Sequence, residues 1–277
     1  RSGTTWSQQA KLTASDAQAG DYFGVHVAIS GNTVVVGAWG EDTGGSQSGA
    51  AYVFTRSGTT WSQQAKLTAS DAQADDNLGY WVCIDGDTVV VGAHNEDAGG
   101  TDAGAAYVFT RSGTTWTQQQ KLASSDIAAG DYFGRCSAIS GDTVVVGAYG
   151  DDHNYSSAGA AYVFTRSGTT WTQQAKLTAS DPEASDYFGF RTAIDGDTVL
   201  VGAYSEDTGG SNAGAAYIFT RSGTTWTQDK KIVASDGGAS DNFGYGLGID
   251  EDTLVVSAPY EDSTANNAGA AYVFIAG

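Results

Sequence analysis

The chain has 277 residues, 38 of them glycine and 2 proline, and a formal net charge of -19 from 32 acidic and 13 basic side chains. That balance argues against nucleic acid and anionic membrane as partners, because a phosphate-binding surface needs clustered Lys and Arg. No run is long and apolar enough for a transmembrane helix, and two cysteines are too few for a disulfide framework.

The segment RSGTTW begins at Arg1, Arg56, Arg111, Arg166 and Arg221, so the period is 55 residues and the copies span 1-55, 56-110, 111-165, 166-220 and 221-275. No copy can bury its apolar face alone, so the array reads as one domain. In the first copy the strand-like runs are about 22-30 (YFGVHVAIS), 33-39 (TVVVGAW), 49-55 (GAAYVFT) and 60-67 (TWSQQAKL). Ser30-Gly31-Asn32-Thr33 and Arg56-Ser57-Gly58-Thr59 read as tight hairpins, since Gly and Asn accept positive φ. The other two connections, about 40-48 and 68-76, are longer.

Four antiparallel strands per period describe a blade, so the predicted fold is all-β: a five-bladed β-propeller of 55-residue, four-stranded blades. The chain opens on a fourth-strand segment, TTWSQQAKL, and stops after a third strand, AAYVFIAG. The N-terminal strand is therefore expected to complete the last blade, leaving a monomeric ring without exposed edges. The alternatives are an excerpt of a longer array or a subunit that completes a larger ring by assembly. The absence of Met and of a signal-peptide pattern predicts a processed or trimmed chain, with an extracellular or cell-surface location as the expectation. Cys83 and Cys136 lie on the same type of strand in adjacent copies, too far apart for a disulfide, and are read as free thiols.

Phe23-Gly24, then VAIS, TVVVGA, an acidic loop and GAAYVF resemble the FG-GAP repeat of integrin-type β-propellers, and are especially similar to its repetitive bacterial members. The resemblance covers all five copies, with Leu78-Gly79 the only departure from the Phe-Gly pair. It implies the propeller and leaves the activity open, since members include adhesion domains, lectins and modules attached to enzymes. Many members carry a DxDxDG calcium loop. Here the corresponding hairpin, Asp85-Gly86-Asp87-Thr88, is too short and too poor in carboxylates.

Asp16, Asp21, Glu41 and Asp42 have acidic equivalents in every copy and account for 20 of the 32 acids. They fall in the two longer connections, which emerge on one face. The leading reading is turn capping and solubility; the alternative is attraction of cations, calcium included, by the summed field.

Departures from the template gather in a few columns. One reads His26, Trp81, Cys136, Arg191, Gly246, and the column before it Val25, Tyr80, Arg135, Phe190, Tyr245. At the end of the second strand one reads Trp39, His94, Tyr149, Tyr204, Pro259, and the next Gly40, Asn95, Gly150, Ser205, Tyr260. The start of an innermost strand and the end of a second strand meet at one mouth of the channel, on the acidic face. His26, Trp39, Tyr80, Trp81, His94, Arg135, Cys136, Tyr149, Phe190, Arg191, Tyr204, Tyr245 and Tyr260 are therefore expected to line one asymmetric pocket.

The leading function is a binding module for a small molecule, glycan or protein, its rings stacking on a planar group while Arg135 and Arg191 pair with a carboxylate or sulfate. The enzyme alternative places a thiolate at Cys136 with His94 or His26 as base. His26, His94 and Cys136 are also of the types that hold zinc or copper, although their spacing is no known ligand signature. A third alternative is an adhesion or structural repeat. No cofactor is predicted.

Overall fold

The computed structural model describes residues 5-262 and 265-276, which contain nineteen strands and no helix. Blade one consists of β1 (Val27–Ser30), β2 (Thr33–Ala38), β3 (Ala50–Ser57) and β4 (Thr60–Leu67). Blade two repeats it with β5 (Trp81–Asp85), β6 (Thr88–Ala93), β7 (Ala105–Ser112) and β8 (Thr115–Leu122). Blade three is β9 (Cys136–Ser140), β10 (Thr143–Ala148), β11 (Ala160–Ser167) and β12 (Thr170–Leu177). Blade four is β13 (Arg191–Asp195), β14 (Thr198–Ala203), β15 (Ala215–Ser222) and β16 (Thr225–Ile232). Blade five is β17 (Gly246–Asp250), β18 (Thr253–Ala258) and β19 (Ala270–Ile275). Each sheet is an antiparallel meander in chain order, and together they form the expected five-bladed β-propeller.

The hairpins close where the sequence places them, on Ser30↔Thr33 and Ser57↔Thr60. The first strand is shorter than expected because YFG forms a turn: Tyr22 and Gly24 have φ of 52° and 100°, and Val25 N–H donates to Tyr22 O at 3.2 Å. The second strand, TVVVGA, is apolar on both faces because both are covered. Val35 and Val53 of blade one pack with Val82, Val89, Val91 and Tyr107 of blade two. Equivalent clusters fill the next three junctions. Cys83 and Cys136 are both free, as expected.

The junction carries a close backbone approach. A Cβ added at Gly37, Gly92, Gly147 or Gly202 would overlap the carbonyl oxygen of Gly79, Gly134, Gly189 or Gly244 in the following blade. Only glycine permits that approach. Blade five has Ser257 at this position.

The expected ring closure is not made among the described residues. The blade-five sheet has three strands, and residues 6-14 belong to none. Instead the N-terminal segment lies on blade one. Trp61 Nε1 donates to Gln9 Oε1 at 2.8 Å, Ser15 N–H donates to Gln63 Oε1 at 2.9 Å, and Lys66 pairs with Asp16 at 2.7 Å. The same contacts tie β4 and its loop to blade two, through Trp116 and Gln64, Ser70 and Gln118, and Lys121 and Asp71. The segment thus occupies the outer-strand position of a blade preceding blade one, without the three inner strands. Val27 and Ile29 on blade one are 59% and 66% exposed, and Val255 and Val273 on blade five 40% and 63%.

Candidate functional site

The acidic loops are built around template lysines. Lys66 pairs with Asp16 and Glu41, each at 2.7 Å, and Tyr52 donates its hydroxyl to Asp16 at 2.9 Å. Lys121, Lys176 and Lys231 repeat the arrangement with Asp71 and Glu96, Asp126 and Asp151, and Asp181 and Glu206. The lysine holds Asp16 below the usual carboxylate range.

The remaining acids of these loops cap turns. Asp21 accepts the Gln18 N–H and Asp42 the Gln47 N–H, both at 2.7 Å. The equivalents Asp76, Asp131 and Asp186 are buried, and burial pushes their carboxyls up to about 6. Among the described residues no group of three or more His, Cys, Asp or Glu side chains is placed to hold a metal ion.

The variable columns do converge. Just before each inner strand, the Arg135 guanidinium lies 4.1 Å over the Tyr80 ring and 5.4 Å over Phe190, which packs on Tyr245 at 5.2 Å. At the first strand position His26 stacks on Trp81 with centroids 3.7 Å apart. Arg191 covers Trp81 at 4.6 Å and Phe190 at 4.4 Å. Residues from the ends of the second strands meet this layer: Tyr80 with His94 at 4.6 Å, and Phe190 with Tyr149 at 5.8 Å and Tyr204 at 4.5 Å.

Trp39 and Tyr260 lie outside these ring contacts, and Cys136 lies near enough to Arg191 and Arg135 for their charges to act on its thiol. Trp39 stacks on Tyr22 at 4.5 Å, and Tyr260 is 45% exposed. The buried Cys136 thiol donates to Gly189 O at 3.2 Å and lies 3.6 Å from Thr192 Oγ1. Burial pushes that thiol up and lowers His26 to about 4 and His94 to about 3. Nδ1 of His26 accepts the Val82 N–H at 3.4 Å, and Nδ1 of His94 is buried without a partner. The hydrogen-bond partners of the thiol are thus Gly189 and Thr192, not an imidazole.

The two channel arginines differ electrostatically from the template arginines. Arg111, Arg166 and Arg221 pair with Asp87, Asp142 and Asp197. Among the described residues Arg135 and Arg191 have no carboxylate within 4 Å. Arg135 Nη2 donates to the Tyr80 hydroxyl at 3.0 Å and Arg191 Nη1 to Phe190 O at 3.0 Å. Arg135 Nη1 is buried without any partner, a costly state for a charged donor.

The columns missed two members of this layer, Tyr132 and Tyr187. They stack on Tyr149 and Tyr204 at 5.1 and 5.4 Å, as Tyr22 does on Trp39. Their column holds a left-handed backbone, φ 52° to 57°, at Tyr22, Asn77, Tyr132, Tyr187 and Asn242. Asn enters that region cheaply and Tyr does not. The three tyrosines are those whose second-strand partner is Trp or Tyr; where the partner is His94 or Pro259 the residue is Asn77 or Asn242. That co-variation between copies was a signal available in the chain itself.

The geometry can be set beside known proteins. The fold resembles the crystal structure of Sqt1 from Saccharomyces cerevisiae, with a TM-score of 0.52 and 12% identity over 92% of this chain and 64% of that one. At that identity the likeness speaks for the fold alone, and the chain spans less than two thirds of the Sqt1 chain. No curated protein matches the sequence. A family model described as FG-GAP repeat matches five times, at residues 6–54, 61–109, 116–164, 171–219 and 226–274. With one match per copy across most of its length, the chain belongs to the FG-GAP repeat family.

Proposed function

We propose that this propeller is a secreted or cell-surface binding module, and that the ring-and-arginine layer at the channel mouth holds an anionic small molecule or glycan. The supporting observation is the pair of ring-stacked guanidinium groups, Arg135 and Arg191, without carboxylate partners among the described residues of a chain of net charge -19. The buried, unpartnered Arg135 Nη1 offers a donor that a carboxylate or sulfate oxygen would satisfy. Exposed faces of the aromatic layer would stack on a sugar ring or other planar body. The copies differ at every one of these positions, which favours one asymmetric site over five equal ones. An adhesive role, with a protein carboxylate as the anion, uses the same chemistry.

The test is thermal stabilisation by glucuronate, a sulfated monosaccharide and neutral glucose, since a ligand of the native state raises its apparent stability. The expected result is a shift with the anions, lost in Arg135→Ala and Arg191→Ala. Equal shifts with glucose, or anion shifts that survive both substitutions, would overturn the reading.

A further inference from the structure

We propose that the channel layer takes a ligand with two separate anionic ends, a short dicarboxylate, with one carboxylate on Arg135 and the other on Arg191. This rests on the reading of the layer as an anion site and names the class of anion it selects. Two cations from successive blades share one aromatic ring there, with no acid among the described residues within 4 Å of either.

The shared ring is Phe190, whose centre lies 5.4 Å from the Arg135 guanidinium and 4.4 Å from that of Arg191. Their other rings differ: Arg135 lies 4.1 Å over Tyr80, and Arg191 lies 4.6 Å over Trp81, the next residue of blade two. The two charges therefore stand in successive layers of the channel, joined through Phe190. Burial, and after it the charge of Arg135, pushes the Arg191 guanidinium down. Every other titratable group of the layer is neutral at pH 7. Burial lowers His26 and His94 and raises the Cys136 thiol and the hydroxyls of Tyr149 and Tyr204. The charge of the layer is thus that of its two arginines, which a dicarboxylate cancels and a monocarboxylate does not.

A single dianionic group, such as sulfate, would have to draw both guanidinium groups to one point. They are tethered separately: Arg135 Nη2 donates to the Tyr80 hydroxyl and Arg191 Nη1 to the Phe190 carbonyl, each at 3.0 Å. Each guanidinium keeps further N–H groups beyond its tether, and a carboxylate accepts two such donors as a fork. Two carboxylates, one per arginine, satisfy that arrangement without moving either tether. The common contact with Phe190 keeps the distance between them short, so the linker is a short chain lying over aromatic faces.

The experiment is calorimetric titration of the whole chain, at constant ionic strength, with malonate, succinate, glutarate and adipate, with the monocarboxylate of equal carbon number beside each, and with sulfate. One dicarboxylate is expected to bind about tenfold or more tighter than its monocarboxylate counterpart, because the second carboxylate binds at high effective concentration once the first is held. Affinity should fall on either side of that length, which separates a two-point fit from attraction by net charge. This series uses the parent protein and needs no variant to fold. Arg135→Gln and Arg191→Gln should each bring the preferred dicarboxylate down to the monocarboxylate affinity. Equal affinity for the two series, a flat dependence on length, or sulfate tighter than every dicarboxylate would overturn the proposal while the anion site stands. Absence of binding by every anion would overturn both.

Discussion

At the rim, Arg111, Arg166 and Arg221 each stack on a tryptophan 5.1 Å away and pair with an aspartate of their own blade. At the channel, Arg135 and Arg191 stack on rings as closely and pair with no acid among the described residues. The rim repeats one contact set because every blade must meet its neighbour in the same way. The channel end is free of that requirement, and no two copies carry the same set of residues there. The rim arginines are thus paired within the propeller, while Arg135 keeps a buried donor that no described residue uses.

Substitutions can break this contrast, and the largest effect is expected at a template position. Lys121→Met leaves the buried Glu96 carboxylate without its ion pair and should cost about 3 kcal/mol at neutral pH by chemical denaturation. A loss as small as that of an exposed pair would show that the loop lysines do not hold the blades.

Next in size is the aromatic layer. Tyr149→Ala removes stacking on Tyr132 and Phe190 and leaves Tyr132 in a left-handed backbone, at a cost of about 1–2 kcal/mol. Adding Tyr132→Asn should recover part of that loss, because Asn is what copies without the ring partner carry. If the double variant is less stable than Tyr149→Ala alone, the co-variation has another cause.

Asp131→Asn tests the raised carboxyls. Its folded-state pKa, about 6, lies above the ordinary value of 3.8, so ionisation weakens the native state as pH rises through that interval. Asn keeps an acceptor for the Ala128 N–H. The variant should therefore be more stable than the parent at pH 7.5, with the difference vanishing below about pH 4. A benefit that persists unchanged in acid would exclude the titration.

The smallest effect belongs to the rim pairs. Arg111→Lys keeps the charge opposite the exposed Asp87 but loses the planar stack on Trp116, and should cost under about 1 kcal/mol.

The propeller was legible because a 55-residue period with two tight hairpins leaves few topologies. Convergence of the variable columns followed from strand direction. What strand pattern could not convey was whether the ends meet, since that depends on how each blade sits against the next, a relation set by backbone approaches such as that of Gly79 to Gly37. The reading of Trp39 and Cys136 as pocket residues rested on column membership, and the structure gives Trp39 a partner in its own blade and the Cys136 thiol a backbone acceptor.

Each 55-residue unit of sequence begins with the outer strand of one blade and continues into the inner strands of the next. Peeling β8 from blade two would pull on the loop whose Asp126 pairs with Lys176 and whose Asp131 carbonyl accepts the Gly150 N–H of blade three, so a blade cannot melt without loosening its successor. Heat or force applied anywhere along the array should therefore meet a single cooperative body, despite contacts that join only neighbours.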